Sequence, residues 1–264
     1  RYYEFVAPII TCPKPSNLAV SDVTHEGATI SWTETGSASQ WIVEYYATES
    51  IIANIDITSD NSFDITGLSP NTTYQVSVRS YCGVGDTSSS IYTSFTTPCG
   101  PYNDSSLPLI ESFDTWTLSS MDPCYVKGIA DESGYYTYPK INTNNYHTGS
   151  NSLQFYGINY TQWLVLPSIE RPINQLQLSF WLRNAQSYSF PIIVGTVSND
   201  ANMSTFDTIG VFETTVSQVW EQFTIPLGAY QGNGGRLAFM TPSTMSTYTS
   251  LYLDDVKVVF KGSL

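Results

Sequence analysis

The sequence predicts an all-β protein, and three observations support this prediction. Short runs alternate apolar and polar residues, as in Ala28 to Trp32 and Tyr74 to Arg79, and a period of two is typical of half-buried strands. Gly, Pro, Asn and Asp separate these runs, and no amphipathic pattern extends beyond about two helical turns. Charged residues make up only 12% of the chain, compared with about 25% in an average soluble domain, which disfavours exposed helix faces.

Length and charge narrow the class of protein further. The 264 residues are enough for two domains at ~100 to 200 residues each, and 41% hydrophobic residues provide for a sizeable core. The net charge of −13 opposes binding to phosphate backbones and anionic lipids. No apolar run approaches the ~20 residues of a membrane-spanning helix. We therefore expect neither a nucleic-acid partner nor membrane insertion.

A domain boundary is expected near Thr96 to Pro101, where two prolines and a glycine follow the predicted strand Ile91 to Phe95. Because Pro and Gly interrupt strands, this stretch is typical of a linker. The predicted domains are residues 12–98 and 99–264. Residues 1–11 are expected to be a leader or the tail of a preceding module.

The first domain carries an ordered set of motifs. Pro15-Ser16-Asn17-Leu18 opens it, Trp32 ends the second strand, and Gly67-Leu68-Ser69-Pro70-Asn71-Thr72-Thr73-Tyr74 precedes a long strand. Along almost its whole length this domain resembles a fibronectin type III domain, which is an immunoglobulin-like sandwich. The resemblance implies that Leu68 and Trp32 fill the core between two sheets and that Tyr74 forms a tyrosine corner.

The second domain also contains motifs in a characteristic order, with an acidic residue near each end. They include Leu107 to Asp114, His147 to Leu153, Trp163 to Pro167, Leu176 to Trp181 and Leu251 to Val258. Together they resemble the jelly-roll modules, galactose-binding-like β-sandwiches, that are related to cleaved adhesin and MAM domains. Such modules occur in secreted or surface proteins of Bacteroidetes, often beside fibronectin type III domains. The resemblance implies an extracellular or outer-membrane-associated location.

The same resemblance implies a structural calcium ion. The first and last strands of a jelly roll are often neighbours, and Ca²⁺ takes about six to eight oxygen ligands. The alternative is that the acidic residues only begin strands or cap turns at the surface. The implied ligands are Glu111, main-chain oxygens around Ser150 and Asn151, and Asp254, with Asp255 and Asp114 as second choices.

The four cysteines favour disulfides over a metal site. They are widely spaced, form no C-x-x-C motif, and are accompanied by only two histidines. In the sandwich implied by the resemblance, Cys12 lies near Cys82, which leaves Cys99 to pair with Cys124. The alternative is four free thiols in a reducing compartment.

Aromatic and amide residues concentrate between positions 135 and 163. Aromatic rings stack on the C–H faces of sugars, and amides bind sugar hydroxyls, so this composition suits glycan recognition. The predicted ligand-binding residues are Tyr135, Tyr136 and Tyr146, which occur in a turn-rich stretch. Leu153, Phe155 and Trp163 are instead expected in the core.

We therefore expect a non-catalytic extracellular module that binds a glycan or a host or matrix protein. The adjacent acids Asp131-Glu132 and Asp254-Asp255 would point to opposite faces of a regular strand, and the chain has no G-x-S-x-G motif, so an enzyme is not expected. One alternative is a purely structural spacer between neighbouring modules of the same chain. Another is an ancillary region of a secreted hydrolase.

Overall fold

The protein is described from a computed structural model that covers residues 12–131, 134, 136–157, 159–186, 190–198, 201–243 and 249–261. The predicted leader or tail at residues 1–11 lies outside these residues. The chain forms two compact units, one up to Gly100 and the other from Pro101 onwards. Helical structure in the described residues consists of three single 3-10 turns, and none of these residues forms a helix long and apolar enough to cross a membrane. The all-β prediction is confirmed.

The described residues of the first unit form eight strands in two antiparallel sheets. One sheet has the order β1-β2-β5, and the other has the order β4-β3-β6, with β7 and β8 both pairing with β6. The strands are β1 (Ser16–Ser21), β2 (Gly27–Thr33), β3 (Gln40–Ala47), β4 (Asn54–Thr58), β5 (Ser62–Thr66), β6 (Thr73–Gly83), β7 (Asp86–Thr87) and β8 (Ile91–Thr96).

Alternating burial builds the core of this unit from both sheets. Every second residue of β2 and of most of β6 is buried, as the period of a strand requires. Trp32 and Leu68 lie in this core as predicted, and the Trp32 and Trp41 rings are 5.8 Å apart. The Tyr74 hydroxyl accepts a hydrogen bond from the Ser69 N–H at 2.9 Å, which is the geometry of a tyrosine corner.

The second unit is a sandwich of two larger sheets. A five-stranded sheet has the order β10-β13-β18-β15-β16, and a six-stranded sheet has the order β11-β12-β19-β14-β17 with β9 beside β19. The strands are β9 (Leu109–Glu111), β10 (Val126–Ile129), β11 (Lys140–Asn142), β12 (Ser152–Tyr156), β13 (Gln162–Val165), β14 (Leu176–Asn184), β15 (Ile192–Val197), β16 (Asp207–Phe212), β17 (Glu221–Pro226), β18 (Arg236–Met240) and β19 (Ser250–Phe260).

The first and last strands of this unit are neighbours, as the jelly-roll resemblance implied. Glu111 of β9 is opposite Val256 of β19. Leu153 and Phe155 are completely buried in the core between the sheets, which confirms the expectation for both.

Trp163 was expected in the same core, and this expectation is wrong. Its side chain is partly buried in a smaller apolar cluster with Val165, Val197 and Ala238. It is opposite Gly128 of β10, and a Cβ atom at that glycine would lie 2.4 Å from the indole ring. The tryptophan therefore covers a glycine on the neighbouring strand, a packing arrangement that alternation alone does not reveal.

Candidate functional site

The outer face of the six-stranded sheet carries a cluster of aromatic and amide side chains. Because Ile141 and Leu153 point into the core, their sequence neighbours Lys140, Asn142 and Gln154 point outwards. Lys140 is paired with Gln154 and Asn142 with Ser152 across the hairpin of β11 and β12. This face is therefore polar where the opposite side of the same strands is apolar.

Four tyrosines flank the hairpin in two pairs, and we refer to Tyr136, Tyr138, Tyr156 and Tyr160 as the tyrosine cluster. The rings of Tyr138 and Tyr156 stack at 5.2 Å with an interplanar angle of 22°. Tyr136 and Tyr160 contact each other at 5.8 Å in a tilted arrangement. All four side chains are partly buried, so each ring is fixed by packing and also reaches solvent.

A network of hydrogen bonds extends across the same face from the hairpin. The Asn142 amide donates to Gln154 at 3.3 Å, and the Gln154 amide donates to the Ser250 hydroxyl at 2.6 Å. In a second row, Arg183 donates to the Asn145 side chain at 2.8 Å, and its guanidinium lies 5.7 Å from the centre of the Tyr252 ring. The polar groups are thus held in fixed orientations before any ligand binds.

Lys140 adds a positive charge beside the tyrosine cluster. Its ammonium group lies 4.5 Å from the centre of the Tyr138 ring, within the range of a cation–π interaction. This face consequently combines aromatic rings, amides and the cations Lys140 and Arg183, a combination suited to a polar ligand with an apolar face.

Of the predicted ligand-binding tyrosines, Tyr135 lies outside the described residues. Tyr136 belongs to the tyrosine cluster, whereas Tyr146 lies in the loop between β11 and β12, where its side chain is 43% exposed. Sequence reasoning did not single out Tyr138 and Tyr156 as ligand-binding residues. Strand register identifies them. Because Lys140 is opposite Gln154, Tyr138, two residues before Lys140, is opposite Tyr156, two residues after Gln154.

The loop from Thr143 to Asn151 is anchored to the outer face through His147. The imidazole stacks on Trp181 at 3.8 Å with an interplanar angle of 16°, and it contacts the edge of Trp220 at 5.8 Å. The Nδ1 atom of His147 lies 2.6 Å from the Asp255 carboxylate, which also accepts a hydrogen bond from the Thr148 hydroxyl at 2.7 Å. The loop is therefore held by ring stacking and by hydrogen bonds.

Asp254 is fully buried beneath this loop. Its carboxylate accepts hydrogen bonds from the backbone N–H groups of His147 at 2.6 Å, Asp255 at 2.8 Å and Thr148 at 3.4 Å. Burial raises the pKa of Asp254 to about 6, against the opposing effect of these N–H donors.

Asp114 organises the other end of the loop. It accepts hydrogen bonds from the N–H groups of Ser150 at 2.6 Å and Asn151 at 3.0 Å. Burial acts to raise the pKa of Asp114, but the hydrogen bonds from Ser150, Asn151 and Ser112 outweigh it and hold the pKa below its ordinary value. Gly149 has φ +67°, and a Cβ atom there would lie 1.9 Å from the Asp114 carboxylate, so only glycine fits this approach.

Glu111 is buried in a third network beside β9. Its carboxylate accepts hydrogen bonds from the Phe113 N–H at 2.5 Å, from the Trp116 indole N–H at 3.1 Å and from the Tyr125 side chain. Burial raises the pKa of Glu111, and burial also raises the pKa of Tyr125, with a contribution from the Glu111 charge.

The carboxylates implied as calcium ligands accept hydrogen bonds in these three networks. Ser150 and Asn151 direct N–H groups, not carbonyl oxygens, towards Asp114, and the Asn151 amide donates to the carbonyls of Phe113, Asp114 and Trp116. A carboxylate oxygen that accepts an N–H group still has a lone pair for a cation. Within the described ranges, no group of three or more His, Cys, Asp or Glu side chains is arranged to hold a metal ion. These contacts do not show the main-chain carbonyl ligands that the resemblance implied, and calcium stays a prediction.

The cysteine predictions can be compared with the structure directly. Cys12 and Cys82 form a disulfide, as the resemblance implied. Cys99 and Cys124 are disulfide-bonded as well, and no cysteine within the described residues is free.

Comparison with known proteins identifies the first unit. Residues 13–96 match the sequence model of the fibronectin type III domain. That domain family is not a catalytic one. A search of curated protein sequences finds no match.

Solved structures match parts of the chain. The fibronectin type III domain of human collagen alpha-1(XX) is 20% identical, and the match covers 37% of this chain and 95% of that domain with a TM-score of 0.32. A cleaved adhesin domain of Lys-gingipain from Porphyromonas gingivalis is 19% identical, and the match covers 57% of this chain and 96% of that domain with a TM-score of 0.44.

Proposed function

We propose that this chain is a non-catalytic extracellular binding module of a bacterial surface or secreted protein, and that its second unit binds a glycan at the tyrosine cluster. The extracellular location is supported by the cysteines, because disulfides persist in oxidising compartments and are rare in the cytosol. The fibronectin type III match of the first unit fits a modular surface protein.

The observation that carries this proposal is the stacked pair of Tyr138 and Tyr156 beside the amides of Asn142 and Gln154. A pyranose ring has an apolar face that packs on an aromatic ring, and its hydroxyls pair with amide donors and acceptors. Lys140 beside Tyr138 favours sugars that carry a carboxylate or sulfate group. A glycan explains this combination better than an apolar protein surface does.

The test is a glycan array screened with the whole chain, followed by titration calorimetry on the best ligand. Tyr138→Ala and Tyr156→Ala should each weaken binding about tenfold or more, because a lost ring contact costs on the order of 1 kcal/mol or more. Tyr138→Phe keeps the ring and should retain most of the affinity. Tyr92→Ala is the matched control, since Tyr92 is an exposed tyrosine of the first unit.

Two results would contradict the proposal. One is an array without any bound glycan, and the other is a glycan whose affinity is the same in the wild type, Tyr138→Ala and Tyr156→Ala. Melting curves of the variants, compared with the wild type, separate loss of the site from loss of the fold.

The spacer function is the second candidate, and the first unit favours it. Its recognisable motif residues, Trp32, Leu68 and Tyr74, are all buried in the core or at the corner, where they stabilise the fold. In this case the partners are the neighbouring modules of the same chain. The glycan array distinguishes the two candidates, because a spacer has no ligand that depends on Tyr138.

A further inference from the structure

The edge strand β4 of the first unit exposes an unusual amount of apolar surface. Among the described residues β4 pairs with β3 alone, and none of these residues pairs with the backbone N–H and C=O groups of its other edge. Ile55 is 61% exposed and Ile57 is 59% exposed, and Ile51 and Ile52 just before the strand are also exposed. Natural edge strands are usually protected by charged side chains, Pro or a bulge; β4 contains no Lys, no Pro and one charged residue, Asp56.

Strand register places the two isoleucines of β4 on one face of the sheet and Asp56 on the other. Ile57 is opposite Ile42 and Ile55 is opposite Glu44, so both isoleucines lie on the outer face of the sheet. Asp56 is opposite Val43, which is completely buried, so Asp56 points to the inner face at the rim of the core. The edge of β4 therefore offers an apolar row on one face and a carboxylate on the other.

The charge around β4 is negative and largely uncompensated. Residues 15–78 contain eight acidic residues and no Lys or Arg. Glu44, Glu49, Asp56 and Asp60 lie on or near β4, and within the described part of the chain none of them forms an ion pair. Arg79, the nearest base in this sheet, lies on β6, which is separated from β4 by β3.

From this edge, the exposed isoleucines and the acidic surroundings, we infer that β4 binds an extended peptide in which apolar and basic residues alternate, added to the sheet as a further strand. Backbone groups of the edge pair with the peptide. Its apolar residues pack on Ile55 and Ile57, and its basic residues on the opposite face approach Asp56. A second copy of this chain is disfavoured as the occupant, because an antiparallel pairing of two β4 strands would bring like charges together.

The experiment uses the whole chain and a fluorescent peptide of alternating lysine and valine, with binding followed by anisotropy. A peptide of the same composition, with its lysines and valines in two separate blocks, is the matched control because it has equal charge but no apolar face. The alternating peptide should bind at least about tenfold more tightly, and affinity should fall at high salt. Hydrogen exchange should show protection of the β4 amides by the bound peptide.

Variants of the edge test the assigned faces. Ile55→Lys with Ile57→Lys should weaken binding about tenfold or more, because the new charges repel the peptide and the apolar row is lost. Asp56→Asn should give a smaller loss and a weaker salt dependence. Tyr92→Lys is the control at a different strand of the same sheet, since Tyr92 of β8 is 74% exposed, and it should leave the affinity unchanged.

The inference is overturned by equal affinity for the two peptides, by equal affinity of the Ile55/Ile57 variant and the wild type, or by protection elsewhere than at β4. It is also overturned if sedimentation shows that the free protein dimerises and that the Ile55/Ile57 variant does not, since the occupant is then a second copy. None of these results depends on glycan binding by the second unit.

Discussion

The phenol of Tyr74 is the acceptor that closes the corner before β6. The ring is buried, and its hydroxyl accepts the Ser69 N–H, while Thr97 accepts the Thr72 N–H at 3.0 Å and donates to the Ser69 carbonyl at 2.7 Å. The turn thus has its backbone groups satisfied by two side chains. A turn built in this way holds the connection between the two sheets of the unit.

Tyr74→Phe tests this role, because it removes the hydroxyl and keeps the packing of the ring. The variant leaves the Ser69 N–H without its acceptor in a part-buried turn, and loss of a typical hydrogen bond costs about 0.5 to 1.5 kcal/mol. Hydrogen exchange of β6 and β8, read by mass spectrometry, should accelerate accordingly. Tyr92→Phe, which removes an exposed hydroxyl, should not change these rates; a similar effect of both variants would contradict the role of the corner.

Asn151 makes a comparable contribution in the second unit, where its amide nitrogen donates to three carbonyls of the turn after β9. Asn151→Asp places a carboxylate against these three carbonyl oxygens, so we expect a loss of at least about 3 kcal/mol in the free energy of unfolding. Chemical denaturation measures it, with Asn144→Asp as the exposed control. If Asn151→Asp is as stable as the wild type, or is stabilised by added calcium, the role of the Asn151 amide as a donor is contradicted, and a cation bound at these carbonyls is indicated instead.

The loop between β11 and β12 is the element that joins the candidate binding face to the acidic networks. Its contacts with Trp181, Asp254 and Asp255 all pass through His147 and Thr148. His147→Ala removes the stack and one partner of Asp255, so exchange of the amides from Thr143 to Asn151 should accelerate. The indole of Trp181 should become more exposed, which a red shift of the tryptophan emission reports. Unchanged exchange and emission would contradict the anchoring role of His147.

Calcium binding at this loop is a separate prediction. The family resemblance predicts that a chelator lowers the melting temperature of the wild type and that Asp254→Asn removes this effect. The hydrogen-bonded arrangement predicts a different pattern: Asp254→Asn lowers the melting temperature equally with and without chelator, because an amide nitrogen then faces backbone N–H donors. Differential scanning calorimetry in calcium and in chelator separates the two.

The sequence predicted positions at which a side chain has a single structural role, in the core or at a corner. Trp32, Leu68 and Tyr74 occupy the positions that their motif implied, and the pairing of β9 with β19 followed from the jelly-roll resemblance. The direction of groups in a loop was not predictable, because a main-chain segment can present either its N–H or its C=O groups. Ser150 and Asn151 present N–H groups to Asp114, whereas the implied calcium site calls for their carbonyl oxygens.

Contacts that depend on strand register could not be predicted from the sequence either. The stacking of Tyr138 on Tyr156 requires that β11 and β12 pair at Lys140 and Gln154, and a shift of one residue would send one of these rings to the other face. The stack of His147 on Trp181 joins a loop to a strand that is 34 residues further along the chain. Neither contact has a local signal in the sequence.

In the molecule as a whole, the low charge content and the two separate cores have a common origin. Both units are built from strands whose exposed positions are filled by Thr, Ser, Asn and Tyr instead of Glu and Lys. Each unit has its own buried cluster, one around Trp32 and Val76 and the other around Phe180 and Phe239. Because neither cluster includes residues of the other unit, each should unfold with its own transition.

The disulfide between Cys12 and Cys82 provides the test of that independence. The bond joins positions 70 residues apart in the first unit, and a loop of this length corresponds to about 4 kcal/mol in the chain-entropy model. The double substitution Cys12→Ser with Cys82→Ser should therefore lower the calorimetric transition of the first unit by many degrees. The transition of the second unit should stay where it is, since its core gains nothing from this bond. A single transition that shifts as a whole would show instead that the two cores unfold together. The free energy of unfolding would then be a property of the whole chain and not of each unit.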